Sequence, residues 1–234
     1  MSTIGLLNEK PLHAALKAWY TQAGDKLEVA VDGYVIDIVR GDLLLEIQTG
    51  NFAGMKTKLH DLLQDHQLRL IYPVIQEKWI LKPRTDAAGT MTRRKSPKRG
   101  RVEDLFWETV SFPHLLTHDN FALEVLLVQA EEVWRRAEKT RGWRRRGWRV
   151  DEHRLLEVVD RRLFATSQHW RALLPSTLPD PFTTRDLADA TGIRLRLAQK
   201  MVYCLRAMGM IDMVGKRGRF NQYARVDEAD PSAV

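Results

Sequence analysis

One segment of the 234-residue chain, VDGYVIDIVRGDLLLEIQTGNF at residues 31–52, constrains the fold more than any other. An Asp-Gly pair and a Gly-Asp pair divide it into short runs of apolar and β-branched residues. Asp-Gly between such runs is a strong β-hairpin signal, because both residues tolerate the positive φ angles of a tight turn. The pattern therefore predicts three consecutive strands joined by short turns, at residues 26–31, 34–39 and 43–48.

Helical periodicity lies on both sides of these strands. Apolar residues recur at helical spacing over residues 9–20 and again over residues 52–65. Residues 67–74 are mostly apolar and predict a buried strand, and a further short strand is predicted at 79–81. The N-terminal third is thus predicted to run helix, three strands, helix, strand.

The middle of the chain is less regular. Residues 82–101, KPRTDAAGTMTRRKSPKRGR, show no periodicity and predict a polar, basic loop. A short helix is predicted at 102–109. Residues 121–136 suit either a strand or a helix, and their alternating residues favour a strand. Residues 148–150 are predicted to pair with it, with TRGWRRRGW as the tip of a hairpin.

The C-terminal part has another pattern. A short helix is predicted at 167–174, before a proline-rich break. Thr183 and Thr184 predict the start of a second helix, because threonine side chains accept hydrogen bonds from the first free N–H groups of a helix. A turn at Thr191-Gly192 then precedes a longer helix at 194–209, and strands at 211–214 and 219–225 flank a basic tip.

Composition excludes several classes of protein. No apolar run approaches the roughly 18 residues that a membrane-spanning helix needs. The first residues lack the basic start and the long apolar stretch of a secretion signal. The single cysteine, Cys204, excludes a disulfide framework or a cysteine-based zinc site within one chain. We therefore expect a cytoplasmic protein without a membrane partner.

The charge distribution favours a polyanionic partner. The formal net charge is +7, and the sequence pI is about 9.6. Residues 81–150 hold 16 basic and 9 acidic residues, whereas residues 1–80 hold 8 basic and 10 acidic ones. A basic region of this kind is the electrostatic footprint of a nucleic-acid-binding protein. The slightly acidic N-terminal third, by contrast, suits a site that collects metal ions.

Three polar residues interrupt the apolar strands of the N-terminal third. Asp37 lies in the second predicted strand, and Glu46 and Gln48 lie in the third. A carboxylate that is buried without a partner costs several kcal/mol, so such residues usually have a metal ion, a partner or an exposed face. Glu46 and Gln48 share one face of their strand, and the short turn lets Asp37 lie beside Glu46. These oxygen donors suit Mg²⁺ or Mn²⁺ rather than zinc.

The pattern Ile36-Asp37 followed by Glu46-Ile47-Gln48, in the order helix, strands, helix, strand, resembles the PD-(D/E)XK nuclease superfamily over about residues 5–81. The resemblance implies an α/β fold with a restriction-endonuclease-like mixed sheet flanked by helices. It also implies that Asp37 and Glu46 bind the metal ion.

Two positions depart from the superfamily pattern. Ile36 replaces a proline, which is a common variation. Gln48 replaces the lysine that orients or activates the attacking water, and an amide can hydrogen-bond water but supplies no charge. In some relatives this lysine lies in the following helix, where this chain has Lys56 and Lys58. The catalytic residues implied by the resemblance are Asp37, Glu46, Gln48, Glu9 in the first helix, and Lys56.

Residues 167–226 resemble a winged helix-turn-helix domain, through the motif FTTRDLADATGIRLRLAQKMVYCLRAMGMI and the hairpin that follows. The resemblance implies that the helix near Arg194 recognises DNA and that the hairpin tip contacts phosphates or the minor groove. Such contacts position a protein more than they read sequence. In TRGWRRRGWR, arginines would bind phosphate and tryptophans would stack on bases. The predicted nucleic-acid-binding residues are Arg144, Arg145, Arg146, Arg194, Arg196, Lys200, Lys216, Arg217 and Arg219.

These features predict a two-domain nuclease. Residues 1–165 are the predicted nuclease-like domain, 166–228 the winged-helix domain and 229–234 a tail. The predicted function is Mg²⁺-dependent hydrolysis of DNA phosphodiester bonds, with the winged helix assisting DNA binding. One alternative is a catalytically inactive DNA-binding protein that keeps the nuclease fold. Another is a regulator that binds DNA through the winged helix and a partner protein through the core. RNA as the target, and a homodimer, stay open.

Structural interpretations compete with these functional ones. Asp37 would be a solvated strand residue, Gln48 an ordinary polar residue of an edge strand, and Glu9 a helix-start residue favoured by the helix dipole. Lys56 and Lys58 would form a solvated helix face. The winged helix would serve protein contacts, the tryptophans of TRGWRRRGWR would pack on the core, and residues 82–101 would be a plain linker.

The remaining chemically active side chains are expected to be structural. His13, His60 and His66 match no metal-ligand spacing and are expected on the surface or in packing. Cys204 lies on the inward side of its predicted helix and is expected to be a buried apolar residue rather than a nucleophile.

Overall fold

The computed structural model describes residues 10–83, 90–136 and 148–226, which form six α-helices, three 3₁₀ helices and ten strands. The helices are α1 (Pro11–Tyr20), α2 (Lys56–Leu62), α3 (Phe106–Thr109), α4 (Ser167–Arg171), α5 (Thr184–Thr191) and α6 (Leu195–Ala207). Short 3₁₀ helices cover Phe52–Met55, Val102–Leu105 and Pro113–Thr117. The strands are β1 (Lys26–Val31), β2 (Tyr34–Arg40), β3 (Leu43–Ile47), β4 (Gln67–Pro83), β5 (Met91–Lys95), β6 (Phe121–Arg136), β7 (Trp148–Phe164), β8 (Phe182–Thr183), β9 (Ile211–Arg217) and β10 (Phe220–Arg225).

The strands form two sheets. The larger one has seven strands in the order β1-β2-β3-β4-β6-β7, with β5 paired to β4. The pairs β1–β2, β2–β3 and β4–β5 are antiparallel. The smaller sheet has the order β8-β10-β9 and is antiparallel. The predicted α/β class, with a large mixed sheet flanked by helices, is confirmed, and the first three predicted strands match β1, β2 and β3 to within one residue.

The chain divides into two compact units that alternate along the sequence. The first unit contains the residues up to Thr49, Ile71–Val102 and Val125–Arg162. The second contains Gly50–Leu70, Glu103–Glu124 and the residues from Leu163 onward. The predicted domain boundary at residue 165 stays a prediction.

The core of the first unit lies between α1 and the larger sheet. Pro11 occupies the first turn of α1, where its missing N–H costs nothing. Buried side chains then recur along one face of α1 at the spacing of a helix. They pack against buried residues of four neighbouring strands. The cluster comprises Leu12, Leu16, Tyr20, Ile38, Leu45, Ile47, Ile71, Leu126 and Val128.

The second unit has an aromatic core. Trp170 of α4 is fully buried, and its ring centre lies 4.6 Å from that of Phe164 and 6.3 Å from that of Phe106. Phe52 and Phe112 stack with their ring centres 5.5 Å apart. Aromatic contacts of this geometry add to the stability that area burial alone supplies.

The prediction of a loop over residues 82–101 is wrong, because β5 lies within it. All five residues of β5 are exposed, so the strand has no apolar alternation that a pattern search could detect. Pairing with β4 and ion pairs hold it instead. Arg93 donates to Glu131 at 2.7 Å and Lys95 lies 2.6 Å from a Glu77 carboxylate oxygen.

Two strands are much longer than predicted. β4 runs without interruption for 17 residues, where strands at 67–74 and 79–81 were expected, and β7 also has 17 residues, where only 148–150 were expected. The burial pattern of β7 is mostly exposed, so it too lacks a regular apolar alternation. The helix predicted at 52–65 begins as a 3₁₀ turn and ends at Leu62.

Gly100 occupies a position where the backbone approaches another strand closely. Its N–H donates to the carbonyl oxygens of Ile75 at 3.1 Å and Gln76 at 3.2 Å. A Cβ atom at this position would lie 2.4 Å from the Ile75 carbonyl oxygen. Since that oxygen belongs to the backbone of β4, it cannot move without disturbing the strand.

We therefore expect Gly100→Ala to lower the free energy of unfolding by about 1–3 kcal/mol, the usual cost of overpacking. Gly215→Ala is the matched control, because the nearest atom to its Cβ would be Gln222 Oε1 at 3.9 Å. Urea denaturation of both variants gives the comparison. Equal stability of the two variants would contradict this account of Gly100.

Candidate functional site

The Asp37 carboxylate lies beside the strand that carries Glu46. In the antiparallel pair β2–β3, Ile38 is opposite Leu45, and Asp37 and Glu46 are the neighbouring residues on their own strands. Asp37 Oδ2 accepts a hydrogen bond of 2.8 Å from the backbone N–H of Ile47. Glu46 is 6% exposed. Asp37 and Glu46 therefore lie on neighbouring strands, and Glu46 is almost fully buried.

A histidine that was expected on the surface or in packing contacts this carboxylate. His13 Nε2 of α1 lies 3.2 Å from Asp37 Oδ2, and both side chains are about one-fifth exposed, at 21% and 18%. Burial alone would raise the pKa of Asp37, but the hydrogen bonds from His13 and from the Ile47 N–H outweigh burial and lower the pKa. Asp37 is therefore ionised at neutral pH.

One helical turn beyond His13, a lysine of α1 contacts a second carboxylate, which belongs to β1. Lys17 Nζ donates to Glu28 Oε1 at 3.0 Å. Glu28 lies in β1 between the pairs Leu27–Ile38 and Val29–Ile36, and has a φ of 52°. A left-handed conformation in a residue other than glycine costs of order 1–3 kcal/mol and clusters at functional sites. The spacing of four residues between His13 and Lys17, one helical turn, is the sequence signal that could have revealed this pair.

The donors at Asp37 and Glu46 are of the kind that Mg²⁺ uses. Within residues 10–83, 90–136 and 148–226, no group of three or more His, Cys, Asp or Glu could hold a metal ion. Mg²⁺ is usually bound by one or two carboxylates together with waters and substrate phosphates, so the chemistry of the donors on Asp37 and Glu46 is of the kind that this ion takes.

The other predicted catalytic residues have separate placements. Glu9 lies outside the described residues. Gln48 is partly exposed just after β3, and its backbone N–H donates to the Ile71 carbonyl oxygen at 2.9 Å. Lys56 is exposed and Lys58 is partly exposed, both on α2 in the second unit.

The predicted DNA-recognition helix starts after a well-defined turn. Thr183 and Asp186 form a reciprocal capping box at the start of α5, which satisfies two free backbone N–H groups. Gly192 ends α5 with a φ of 67°, a left-handed conformation that glycine adopts at little cost. Arg194 then precedes α6 as its N-cap residue.

The exposed face of α6 carries several cations, and two of them lie within cation–π distance of the Trp107 ring. Arg194 and Arg196 are exposed and Lys200 is partly exposed. The Arg196 guanidinium lies 5.9 Å, and the Lys200 ammonium 5.5 Å, from the ring centre of Trp107. Together with Val110, Gln199 and Tyr203, these two cations line an open depression of about 450 Å³.

The three basic residues of the hairpin β9–β10 that were predicted to bind nucleic acid have different surroundings. Arg217 donates to Asp186 Oδ1 at 2.6 Å, so it ties the hairpin to α5. Burial would raise the pKa of Asp186, but the hydrogen bonds from Arg217 and Thr183 lower it. Lys216 is exposed, and the Arg219 guanidinium lies 5.2 Å from the ring centre of Phe220.

Two further predictions concern arginines and a thiol. Arg144, Arg145 and Arg146 lie outside the described residues. Cys204 is fully buried, and its Sγ lies 3.7 Å from Thr109 Oγ1. Burial raises the pKa of the Cys204 thiol to about 11. The thiol is therefore protonated at neutral pH, in agreement with the expected structural role.

Sequence reasoning missed a buried carboxylate on β6. Glu132 is 5% exposed and accepts hydrogen bonds from Lys78, from His153 at 3.3 Å and from Trp134 Nε1 at 3.3 Å. Burial would raise the pKa of Glu132, but the His153 and Lys78 hydrogen bonds and the Lys78 charge outweigh it and lower the pKa to about 2. An acid inside an apolar strand, the signal that revealed Glu46, is also present in LLVQAEEVW.

The observed class is an α/β protein with a large mixed sheet and a smaller C-terminal sheet. Residues 10–165 match the family model described as Domain of unknown function (DUF8091), and the chain belongs to that family. An uncharacterized protein of Treponema pallidum (strain Nichols) is 31% identical over 230 residues, covering 97% of this chain and 90% of the relative. No solved structure matches. None of the helices in the described residues is long and apolar enough to cross a membrane.

The depressed pKa of Glu132 predicts a loss of stability in acid. The folded-state pKa is about 2 and the ordinary value is 4.5, so the stabilisation is present above pH 4.5 and is lost as the pH falls towards 2. Between these limits, the stability difference between wild type and Glu132→Gln should narrow by on the order of 3 kcal/mol, since one pKa unit corresponds to about 1.4 kcal/mol.

Denaturation at a series of pH values measures this difference, and an NMR titration of the Glu132 carboxyl carbon reports its protonation directly. A titration midpoint near that of an ordinary glutamate would contradict the assignment.

Proposed function

We propose that this protein is a Mg²⁺-dependent nuclease that hydrolyses DNA phosphodiester bonds. The observation that carries the proposal is the hydrogen bond between the Asp37 carboxylate and the N–H of Ile47, the residue next to Glu46. It holds an ionised carboxylate against the strand that carries the buried Glu46, which supports the arrangement that the PD-(D/E)XK resemblance implies. The expected cytoplasmic location is part of this proposal.

The residues of this chain would divide the chemistry among them. Asp37 and Glu46 would hold Mg²⁺ or Mn²⁺, which supplies an activated water and stabilises the charge that develops on the phosphate. The Ile47 N–H and His13 orient the Asp37 carboxylate from one side. Gln48 would accept or donate a hydrogen bond to the attacking water and so position it, without supplying charge.

DNA binding is assigned to the C-terminal module. Its element order, α4, β8, α5, α6 and the hairpin β9–β10, and its sheet order β8-β10-β9 support a winged helix. Arg194, Arg196 and Lys200 on or next to α6 would face a DNA groove. Lys216 and Arg219 of the hairpin would contact phosphates, whereas Arg217 holds the hairpin against α5.

A second candidate function is a DNA-binding protein that keeps the nuclease fold without activity. Two observations favour it. Gln48 stands where an active enzyme of this pattern has lysine. His13 also lies against the Asp37 oxygen that accepts the Ile47 hydrogen bond, so part of that carboxylate is already engaged.

Isosteric variants separate the two functions. Asp37→Asn and Glu46→Gln remove charge but keep shape, and Asp37→Asn can still accept the Ile47 hydrogen bond. Each should lower Mg²⁺- or Mn²⁺-dependent cleavage more than about 100-fold, because a metal ion supplies several kcal/mol to the transition state and each 1.4 kcal/mol is tenfold in rate. Cleavage is measured on linear, nicked, single-stranded and branched DNA.

Asp42→Ala is the matched control, because Asp42 is an exposed acid in the turn between β2 and β3. It should leave cleavage unchanged. If no substrate is cut by wild type while DNA binding persists, the inactive DNA-binding protein is the correct assignment. Cleavage that survives both isosteric variants would show that these carboxylates are not the metal ligands.

The winged-helix assignment predicts a change in salt dependence. The double variant Arg194→Gln, Lys216→Gln should weaken duplex binding and reduce the slope of log affinity against log salt by about 0.9 for each phosphate that the variant no longer neutralises. Arg162→Gln is the control, because Arg162 is exposed and paired with Asp160 at 3.1 Å. Titrations of duplex DNA at several salt concentrations measure the slope. An unchanged slope in the double variant would overturn the assignment.

A further inference from the structure

Two tryptophans and two cations meet in the first unit, where β4, β6 and β7 run side by side. The Lys82 ammonium lies 4.3 Å from the ring centre of Trp134 and 5.4 Å from that of Trp148. The Arg136 guanidinium lies 5.9 Å from the Trp148 ring centre. Both rings and Lys82 are partly exposed, and Arg136 is exposed. We call Lys82, Trp134, Arg136 and Trp148 the tryptophan surface.

β5 adds a further cation to the same face of the sheet. Ile80 of β4 is paired with Arg94 of β5, and directly paired residues project to the same face. Lys82 follows Ile80 by two residues and shares that face. Arg94 is exposed, so it extends the positive charge of the tryptophan surface towards β5.

A hydrogen bond to the buried Glu132 carboxylate fixes the orientation of the Trp134 ring. Trp134 Nε1 donates to Glu132 Oε2 at 3.3 Å, and Glu132 is itself held by Lys78 and His153. The indole ring is thus anchored at its polar edge while the cation lies over its face. A ring that is already ordered loses little freedom when a planar ligand stacks on it.

Trp79 provides an internal comparison. It also lies under two cations, with Arg93 at 4.8 Å and Lys95 at 5.2 Å from its ring centre. These cations, however, are paired with Glu131 and Glu77. In the described part of the chain, Lys82 and Arg136 contact aromatic rings and no carboxylate. Among the described residues, carboxylates therefore neutralise the cations around Trp79 but not those of the tryptophan surface.

We propose that the tryptophan surface binds a single-stranded polynucleotide. Bases stack on Trp134 and Trp148, and phosphates face Lys82, Arg94 and Arg136. Aromatic rings interleaved with cations are what single-strand binding requires, and stacking changes affinity by roughly 5- to 150-fold per base. An exposed cation–π contact is worth only roughly two- to fivefold, so a base can replace Lys82 over the rings and leave its ammonium to a phosphate.

The same chemistry disfavours duplex DNA at this surface. Paired bases stack on each other, and their flat faces are not free to contact a tryptophan ring. The substrate class that follows is a nucleic acid with a single-stranded segment. Naming that strand as the substrate rests on the proposed nuclease function, whereas binding of the strand requires neither the metal ion nor cleavage.

Binding in EDTA tests the proposal separately from the nuclease function. Fluorescence anisotropy of labelled oligo(dT), oligo(rU) and a duplex of equal length is measured with the full chain. Trp148→Leu should weaken single-strand binding roughly 5- to 150-fold, the contribution of one stacked base, and leave duplex binding unchanged. Trp148→Phe, which keeps an aromatic face, should retain most of the affinity. Trp79→Leu is the matched control and should bind as wild type does.

The two oligonucleotides distinguish the possible strands. A loss confined to oligo(dT) supports the proposal for DNA, a loss confined to oligo(rU) supports it for RNA, and a loss for both supports a site that accepts either. Wild-type affinity of Trp148→Leu for both strands would overturn the proposal. So would an equal loss for duplex and single strand, which would indicate a general fault in folding or charge.

A second variant leaves the rings in place. Lys82→Gln, Arg136→Gln should reduce the single-strand salt slope by about 0.7 for each phosphate that is no longer neutralised, and an unchanged slope would overturn the proposal. If cleavage is absent while these binding effects are present, only the proposed nuclease function fails. If cleavage depends on Asp37 and Glu46 while Trp148→Leu binds normally, only the tryptophan surface fails.

Discussion

A carboxylate inside a sheet is stable only where donors surround it, because an ionised group loses its hydration on burial. This requirement organises both units. In the first, Asp37 is held by the Ile47 N–H and His13, and Glu132 by Lys78, His153 and Trp134.

In the second unit, the 3%-exposed Glu124 accepts a hydrogen bond of 3.1 Å from Arg69. Each of these anions accepts a hydrogen bond from at least one side chain of another element, more than 20 residues away in sequence, so each anion links distant segments of the chain. Replacing one partner of such a set leaves the other charge buried and uncompensated, which is far more costly than losing an exposed ion pair.

The predictability of the fold differs between elements for a physical reason. β1, β2 and β3 were predicted almost to the residue, because two tight turns divide short runs of apolar and β-branched residues, and β2 and β3 hold buried core side chains. β5 was not, because all its side chains are exposed and its pairing with β4 depends on charges elsewhere in the chain. The start of α5 could be predicted from Thr183, since a capping side chain acts on N–H groups only a few residues away.

The residues of the candidate site also differ in how far the sequence predicts them. Asp37 and Glu46 could be found from sequence, because an acid within an apolar strand is a local anomaly. Their neighbour His13 could not be assigned, because its contact with Asp37 spans 24 residues and depends on how α1 packs on the sheet. Arg217, predicted to contact phosphates, is bound to Asp186 across 31 residues. Sequence spacing thus identifies side chains with unusual chemistry, whereas only the fold identifies their partners.

The single cysteine has a practical consequence. Cys204 lies on α6, fully buried against Thr109, and is the sole thiol of the chain. A thiol reagent can reach its Sγ only after α6 separates from its neighbours, so the rate of modification reports how often the second unit opens. The wild-type chain therefore contains its own probe of local unfolding, without any engineered label.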